Sequence, residues 1–525
     1  MSDASAPPWW SPFRHRDFAT IWSVNMLGLI GIAMSDMASG WLMTSLDGDP
    51  RAVAWVQVAA NLPMFLFTLP AGALIDNFNP RRFLLAVEAV IAAVTLGFAV
   101  MVSFRLVSAY SLLAMTFALS AAWTAAAPAW LAILPALVPT RDLDSATAIN
   151  GAGYNVSRAV GPAIGGVAIA LLGVGAPFWI FGAVNIATIL ALFWWRNPAV
   201  AAGLPAEPLM SALRVGLRHG ANNRHLTATI ARTLAIFPFA SAYWALLPLL
   251  ARDRMGGGPQ TYGVLLGALG AGAIAGALAL NWLKAKLGPD RVALSGAVVT
   301  SAMLALFGVV RDPSAGAVVC VIAGAAWIAV MATLYVSAQV ALPDWVRGRG
   351  LSLFLTVIFG AMTFGGIVWG QVAQQIGMPG ALFAAAAGAL LSIPLSWRFK
   401  LQTGADDDLA PSRHWSLPHV ARPVADAEGP ILVVREYRVD ALNRAPFLEA
   451  VREIGHERKR DGAYAWGVFE DPADSSRLWE TFLIESWLEF RLLRERVTKA
   501  DRLVEERARR LLAAPAKTIV MTPPK

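Results

Sequence analysis

A series of long apolar runs, separated by short polar loops, constrains this chain more than any other feature. Twelve runs are long enough to cross a bilayer as helices, at approximately 18–45, 52–75, 83–104, 109–136, 145–173, 177–195, 226–250, 260–283, 291–310, 314–341, 350–375 and 379–398. A hydrocarbon core of roughly 30 Å takes about 20 helical residues to span. Backbone polar groups in lipid must be satisfied within the segment, so the runs predict membrane helices.

Charge divides the chain into two parts. Residues 1–400 carry 23 Lys and Arg against 14 Asp and Glu, whereas residues 401–525 carry 20 against 21. A membrane body of net charge +9 therefore precedes a polar tail of net charge −1. The basic residues lie in loops between apolar runs, which does not indicate nucleic acid as a partner. The single cysteine, Cys320, excludes a disulfide framework, and we predict no metal and no cofactor.

The loops predict the orientation. If the N-terminal segment 1–17 lies inside, the internal segments carry sixteen Lys and Arg and the external loops carry five. Cytoplasmic loops are enriched in these residues, so both termini are expected in the cytoplasm. Residues 1–17 contain Trp9 and Trp10 beside Arg14, which is typical of an interfacial anchor and not of a secretory signal.

An internal repeat with an offset of 204 residues relates the two parts of the body. Gly161 returns as Gly365 and Gly166 as Gly370, and the longest internal loop lies between the sixth and seventh runs. This predicts an N-terminal six-helix half at 18–196, a central cytoplasmic loop at 197–225 and a C-terminal six-helix half at 226–400. Paired bundles around a midplane site are typical of secondary transporters.

Two motifs carry a family resemblance. The segment from Gly72 through Asp76 to Arg81 and Arg82 resembles the loop signature of the major facilitator superfamily. The segment from Arg141 to Asn150, followed by Arg158 and the Gly161-Pro162-Ala-Ile-Gly165-Gly166 motif, is similar to the exporter branch that includes enterobactin exporters and transmembrane secretion effectors.

The resemblance implies an all-α membrane protein of twelve helices in two pseudo-symmetric halves, in a bacterial inner membrane. It also implies export of an amphipathic small molecule, such as a siderophore or a drug, in exchange for protons. Two alternatives stay open: an uptake facilitator or uniporter, and a membrane-anchored sensor or enzyme whose activity lies in the tail. No Gly-x-x-x-x-Gly-Lys-Ser/Thr loop is present, which argues against ATP-driven pumping by this chain alone.

Charges inside membrane helices cost free energy and are therefore functional candidates. Asp36, Arg158 and Glu88 are the proton-coupling candidates. Arg158 is long enough to bridge a difference in depth to Asp36, as an ion pair or as a modulator of its titration. Glu88 is interpreted as a shallow acid paired with the loop arginines, and Arg232 as a side chain that reaches the interface.

Other residues predict gating, close helix packing and a cavity. For gating, Asp76 is expected near the start of the eleventh run, with Arg81, Arg82, Arg347 and Arg349 nearby, and Gly72 belongs to the same motif. Gly161, Pro162, Gly165 and Gly166 are expected to seal the interface between the halves. The cavity candidates are Asn25, Gln57, Asn61, Trp123, Asn150, Asn155, Tyr243, Trp327, Tyr335, Gln339 and Trp369.

The tail predicts a linker at 401–429 and a small α+β domain at 430–525. Strands are expected at Ile431–Val439, Tyr464–Glu470, Arg477–Glu485 and Lys517–Met521, with helices at Arg444–Arg460 and Trp487–Leu512. This βαββαβ order is ferredoxin-like. Three phrases, beginning at Glu436, Asp461 and Trp479, resemble domains related to antibiotic monooxygenases. A ligand site using Tyr464, His456, Trp466 or Trp479 is one hypothesis, and a homodimer contact or a regulatory role is the preferred one.

Overall fold

The computed structural model describes residues 8–75, 78–195, 209–402, 408–412, 414–415, 420 and 423–523. Within this part, eleven helices are long and apolar enough to cross a membrane. The first six are α1 (Arg16–Leu46), α2 (Pro50–Ile75), α3 (Pro80–Ser103), α4 (Ala109–Leu137), α5 (Leu143–Leu172) and α6 (Ala176–Trp194). The short amphipathic α7 (Leu209–Asn222) precedes α8 (Arg224–Leu249), α9 (Pro259–Leu287), α10 (Pro289–Val309), α11 (Pro313–Val340) and α12 (Arg347–Ser396).

Eleven helices are counted instead of the expected twelve because α12 extends over 50 residues and counts once. At 1.5 Å per residue such a helix would be about 75 Å long, more than twice the hydrocarbon core. Gly377 breaks it, with φ 78° and ψ 159°, a conformation that favours glycine. The stretches before and after Gly377 correspond to the last two runs of the sequence.

The helix boundaries follow local signals. Proline occupies the first position of α3, α9 and α10, where its missing N–H is not needed. Asn79 caps α3 by accepting a hydrogen bond from the Arg82 backbone N–H at 3.2 Å. Gly173 and Gly288, both at positive φ, end α5 and α9.

Glycine contacts inside each half repeat with the offset seen in the sequence. A Cβ atom at Gly161 of α5 would lie 2.7 Å from the Cβ of Ala33 in α1. At Gly365 of α12, 204 positions later, it would collide with Ser241 in α8. The first and fifth runs of one half and the corresponding runs of the other therefore approach each other at equivalent glycines.

Contacts between the halves repeat in the same way. A Cβ at Gly166 would lie 2.8 Å from the Pro259 carbonyl oxygen at the start of α9, and one at Gly370 would lie 2.7 Å from the Cβ of Ala54 in α2. Both contacts lie at the end of the bundle where α1 ends and α2 begins. Towards the start of α5, Gly151 is exposed, and a Cβ there would meet nothing within 4 Å.

The tail forms a four-stranded antiparallel sheet with three helices. Its elements are β1 (Ile431–Arg438), α13 (Arg444–Asp461), β2 (Ala465–Asp471), β3 (Asp474–Ile484), α14 (Trp487–Arg496), α15 (Lys499–Arg509) and β4 (Ala514–Met521), with strand order β2-β3-β1-β4. The prediction of a single helix at Trp487–Leu512 was wrong, because two helices occupy this segment. Thr498 is extended and forms a capping box with Asp501, which starts a new helix.

The chain divides into two compact units. The first comprises 1–209, 230–335 and 354–400, and the second comprises 210–229, 336–353 and 401–525. The second unit therefore contains the tail together with most of α7, the connection between α11 and α12, and the adjoining ends of α8, α11 and α12.

Within the second unit, the tail contacts α7 and the α11–α12 connection directly. Arg218 Nη1 of α7 donates to the Gly462 carbonyl at 2.6 Å, and Arg214 Nη1 lies 3.3 Å from Glu485 Oε1. The guanidinium of Arg496 lies 4.6 Å from the ring centre of Trp345, which also meets the ring of His219 edge-on at 5.4 Å. A mixed set of ion pairs, hydrogen bonds and aromatic contacts thus joins the tail to these elements.

Candidate functional site

Arg158 lies near the middle of α5 and faces the other half. Its guanidinium carbon is 5.8 Å from the ring centre of Trp244 in α8 and 5.9 Å from that of Tyr154, whose hydroxyl lies 3.4 Å from Arg158 Nη1. The Arg158 side chain is exposed. A guanidinium held against an aromatic face keeps donors free for an anionic or polar substrate group.

Asp36 does not pair directly with Arg158. Within the described residues Asp36 has no hydrogen bond or ion pair, although the charge of Arg158 acts on it. Gly165 of α5 packs on Met34 of α1, and the two helices run parallel, so Asp36 and Arg158 are roughly 13 Å apart along the bundle axis. The expected bridge across the difference in depth is therefore absent, and the two charges interact through space.

Asp36 also faces the other half. Its side chain is exposed, and its charge acts on Tyr262 of α9. One turn further along α1, a Cβ at Gly40 would lie 2.9 Å from the Tyr262 hydroxyl oxygen, and Trp41 stacks on the Tyr262 ring at 6.3 Å. Asp36 thus lies just before the point where α1 packs tightly on α9.

An aromatic cluster continues from Arg158 into the second half. The ring centre of Trp244 lies 5.5 Å from the ring centres of both Tyr243 and Trp327, and the ring centres of Trp327 and Phe237 are 5.0 Å apart. Tyr243 is buried, and its hydroxyl has no hydrogen-bond partner in the described structure. Tyr243 and Trp327 were cavity candidates, whereas Trp244, Tyr154 and Tyr262 were not selected. Tyr154 and Trp244 each lie one residue from a selected position, Asn155 and Tyr243, but nothing in the sequence singled them out.

Glu88 belongs to a different place from the one expected. It is buried in α3 and lines a small cavity with Asn25, Trp123, Trp130 and Asn185. Glu88 was interpreted as a shallow acid paired with loop arginines. The structure differs, because the Arg81 guanidinium donates to the carbonyls at the end of α6. Three elements of one half, α1, α3 and α4, thereby bring together predicted residues that the sequence could not group.

Arg232 of α8 is held by groups at the ends of other helices. It is buried, its Nη2 pairs with Asp290 Oδ1 at 2.7 Å, and its Nε donates to the Phe399 carbonyl at 2.6 Å. Arg232 therefore joins α8, the start of α10 and the segment after α12.

The gating residues are only partly described. Asp76 lies outside the described residues, and for Gly72 only the helical backbone is described. Arg347 pairs with Asp344 three residues earlier at 2.5 Å, and Arg349 packs against Gly216 of α7. Arg82 is exposed, and its backbone N–H is used in the cap of α3.

The remaining cavity candidates are dispersed. Trp369 is buried and donates to the Pro238 carbonyl at 2.7 Å, and Asn155 donates to the Gly151 carbonyl one turn earlier in α5. Asn61 is buried, Tyr335 packs edge-on against Phe354 at 6.2 Å, and Gln339 belongs to the second unit. Gln57 and Asn150 are half-buried.

The predicted tail residues do not form one site. Tyr464 and His456 are exposed, while Trp466 donates to Glu480 Oε1 at 2.9 Å and Trp479 packs beside Arg477. No cluster of three or more metal-ligating side chains occurs in the described part of the chain.

Comparison with known proteins agrees with this architecture. A family profile described as transmembrane secretion effector matches residues 7–522. The multidrug efflux pump Tap of Mycobacterium tuberculosis is 26% identical over 418 residues, which cover 77% of this chain and 96% of the pump. The Tap pump of Mycolicibacterium fortuitum is 24% identical over 377 residues, covering 70% and 90%.

Solved structures are similar in fold alone. The nucleoside transporter NupG, as a D323A mutant, has a TM-score of 0.63 at 10% identity, covering 73% of this chain and all of NupG. A POT family transporter in complex with a thioalcohol-conjugated peptide has a TM-score of 0.61 at 12% identity, covering 73% and 96%. The family match and the Tap relatives, and not these structures, identify the chain as a multi-pass transporter of the major facilitator type.

Proposed function

The chain belongs to the transmembrane secretion effector family, and we propose that it exports an amphipathic small molecule, of the siderophore or drug class, by proton-coupled alternating access. The proposal rests on the contact between Arg158 of one half and Trp244 of the other. The Arg158 side chain is exposed in spite of this contact. A substrate bound there touches both halves, so its binding is sensitive to their relative movement. The similarity to efflux pumps supports export over uptake.

The substrate class follows from the same residues. The guanidinium of Arg158 suits an anionic or strongly polar group, and the faces of Trp244 and Trp327 suit an aromatic or apolar body. Sites for small molecules are commonly apolar with a few polar groups that fix orientation. An amphipathic compound with one anionic group fits this combination.

Two six-helix halves require twelve crossings, and the break of α12 at Gly377 supports that number. With both termini in the cytoplasm, as the loop charges predict, the tight glycine contacts at Gly166 and Gly370 close the outer end. The conformation is then inward-facing, ready to receive substrate from the cytoplasm. Export proceeds when these contacts open and the opposite ends of the halves meet.

Thiol labelling tests this orientation. Cys320 is buried, so a Cys320→Ala background accepts single new cysteines. Asp49→Cys and Asp312→Cys are expected to react with a membrane-impermeant maleimide in intact cells, and Asp344→Cys only after permeabilisation. Labelling of Asp49→Cys only after permeabilisation would overturn the orientation.

Proton coupling is assigned to Asp36, with Arg158 as the charge that acts on it. Asp36 is exposed and has no partner within the described residues, so protonation breaks no ion pair. A carboxyl group that gains and loses a proton beside the inter-half contact couples proton movement to that contact. Glu88 is the second candidate, because it is a buried acid with polar neighbours.

Flux in proteoliposomes tests coupling. An amphipathic anionic dye, a sulforhodamine, is followed with and without an imposed pH gradient. Asp36→Asn should abolish the acceleration by the gradient while dye exchange persists, and the matched control Asp17→Asn, in the first turn of the same helix, should respond like the parent. An unchanged response in Asp36→Asn removes Asp36 from the mechanism. Parent flux that ignores the gradient favours the uniporter alternative.

The tail is assigned a regulatory role. Its strand order and antiparallel pairing support the proposal of a ferredoxin-like domain. Its contacts with α7 and the α11–α12 connection give it direct access to elements next to α8, α11 and α12. A homodimer would form through the sheet face opposite the helices, where Phe469, Ile519 and Met521 are exposed. Multi-angle light scattering of the solubilised chain, with Phe469→Asp as the disrupting variant, tests the dimer.

A further inference from the structure

The tail contains a cavity of about 310 Å³ that is separate from the membrane helices. It lies between β1, α13, α15 and β4, and its lining includes Arg435, Tyr437, Glu505 and Arg509. The rest of the lining is apolar and consists of Ile454, Ala508, Leu512, Pro515 and Ala516. This volume is at the lower end of the range for small-molecule sites.

The acidic groups in and beside the cavity already have partners. Glu505 is buried and pairs with Arg458. It accepts a hydrogen bond from Trp415 Nε1 at 3.1 Å, and its Oε2 lies 3.0 Å from His414 Nε2. Glu480, fully buried, accepts from Tyr437 at 2.5 Å. Burial opposes the charge on Glu505, but Arg458, His414 and Arg435 together outweigh it and lower the pKa of that carboxyl, so Glu505 stays ionised.

Arg435 is the cation left with unused donors. Its Nε is buried and without a partner in the described structure, and its nearest carboxylate contact, from Nη1 to Glu505 Oε1, is 3.9 Å. Trp415 and Tyr437 hold its guanidinium carbon at 5.5 and 5.8 Å from their ring centres. A guanidinium positioned by aromatic rings and lacking hydrogen bonds is prepared for a bidentate acceptor.

Basic side chains outnumber acidic ones in the lining of the cavity. Arg435 and Arg509 line it beside the carboxylate of Glu505, and Arg509 also interacts with the charge of Glu506. We infer that this cavity binds a small organic carboxylate, whose charged group pairs with Arg435 and Arg509 and whose apolar body contacts Ile454, Ala508 and Leu512. The inference is independent of the transport mechanism proposed above.

Calorimetric titration of the full-length, detergent-purified chain tests the inference. The probes are benzoate, phenylacetate, indole-3-acetate and 1-naphthoate, each compared with its neutral amide. At least one carboxylate should bind, and its amide should bind at least tenfold more weakly. If no carboxylate binds, or if the amides bind equally well, the inference is wrong.

Variants locate the binding. Arg435→Gln should weaken binding at least tenfold, and Leu512→Trp should block it by filling the apolar end without removing a charge. The matched control Arg438→Gln, on the same strand but outside the cavity lining, should bind like the parent. Unchanged binding in both Arg435→Gln and Leu512→Trp places the site elsewhere, for example at Arg158, and overturns the inference.

Discussion

At the scale of single residues, ionisable groups in this chain have two kinds of surroundings. Arg232 and Glu505 are buried and form ion pairs and hydrogen bonds. Asp36 and Arg158 lie in membrane helices, and their side chains are exposed. Because a charge in a membrane helix costs free energy, a functional role is the simpler explanation for Asp36 and Arg158.

Glu457 of the tail gives a pH-dependent prediction. Burial, and then the charge of Asp501, raise the pKa of Glu457 to about 9, and its Oε2 has no hydrogen-bond partner in the described structure. A carboxyl whose pKa is higher in the folded state supports folding fully below its unfolded value, near 4.5, and loses that contribution as the pH rises towards 9. Glu457→Gln should therefore stabilise the tail, by about 2 kcal/mol at pH 8, and hardly at all at pH 5.

Pulse proteolysis in urea, on the solubilised full-length chain at pH 5, 7 and 8, measures this difference. Glu453→Gln is the control, because Glu453 lies one turn earlier on α13 and makes only a surface pair with Arg507. Its effect should stay below about 1 kcal/mol at every pH. A Glu457→Gln effect that is equally large at pH 5 contradicts the assignment.

At the scale of elements, α5 is the central helix of the site. One stretch of it carries Gly161 and Gly165 against α1, Gly166 against α9, and Arg158 against the aromatic cluster. The glycines bring the backbones together, so the position of Arg158 relative to the other half depends on how closely α5 and α9 pack.

Gly166→Val is predicted to abolish transport. Its Cβ would lie 2.8 Å from the Pro259 carbonyl oxygen and 3.2 Å from the Gly263 Cα, both backbone atoms that cannot rotate away. The halves would be held apart at this end, and dye efflux from cells should fall at least tenfold at unchanged expression. Gly151→Val, on the same helix but with open space around the new Cβ, should keep most of the activity. Equal activity of the two variants would show that this contact is not needed.

At the scale of the whole molecule, the chain joins a membrane body to a polar tail. Burial lowers the pKa of His219, at the contact between α7 and the tail, to about 3, and the charges of Arg460 and Arg496 add to the effect. His219 is therefore neutral at physiological pH, and its contribution to the contact is present above about pH 6.5 and declines as the pH falls towards 3. The ion pairs of Arg214 and Arg218 with Glu485 hold the same contact.

A charge exchange tests whether this contact affects transport. Arg218→Glu places two acids together and should release the tail, which changes the dye efflux rate at least threefold. Adding Glu485→Arg should restore only part of the parent rate, because the pair with position 218 is rebuilt with reversed polarity while Arg214 loses its acidic partner. Arg224→Glu, beyond the end of α7, is the control and should have little effect. Efflux unchanged in Arg218→Glu, with the tail released as judged by proteolysis, would make the contact structural only.

Much of the fold could be predicted from the sequence because the membrane imposes simple requirements. Length and hydropathy predicted the helices, and Pro80, Pro259 and Pro289 stand where α3, α9 and α10 begin. In the tail, strand and helix periodicity predicted all four strands and α13 to within three residues. The break between α14 and α15 was missed because the apolar positions of Trp487–Leu512 stay periodic across the Thr498 cap.

The sequence by itself determined which residues are charged inside apolar runs and which glycines recur 204 positions apart, because hydropathy and repeats are local properties of the chain. Only the tertiary structure decided the partners of those residues. It grouped Glu88 with Asn25 and Trp123, separated Asp36 from Arg158, and placed Trp244 over the arginine. The physical reason is that a side chain's neighbours depend on helix rotation and depth, which are fixed by packing between distant segments and not by the spacing within one of them.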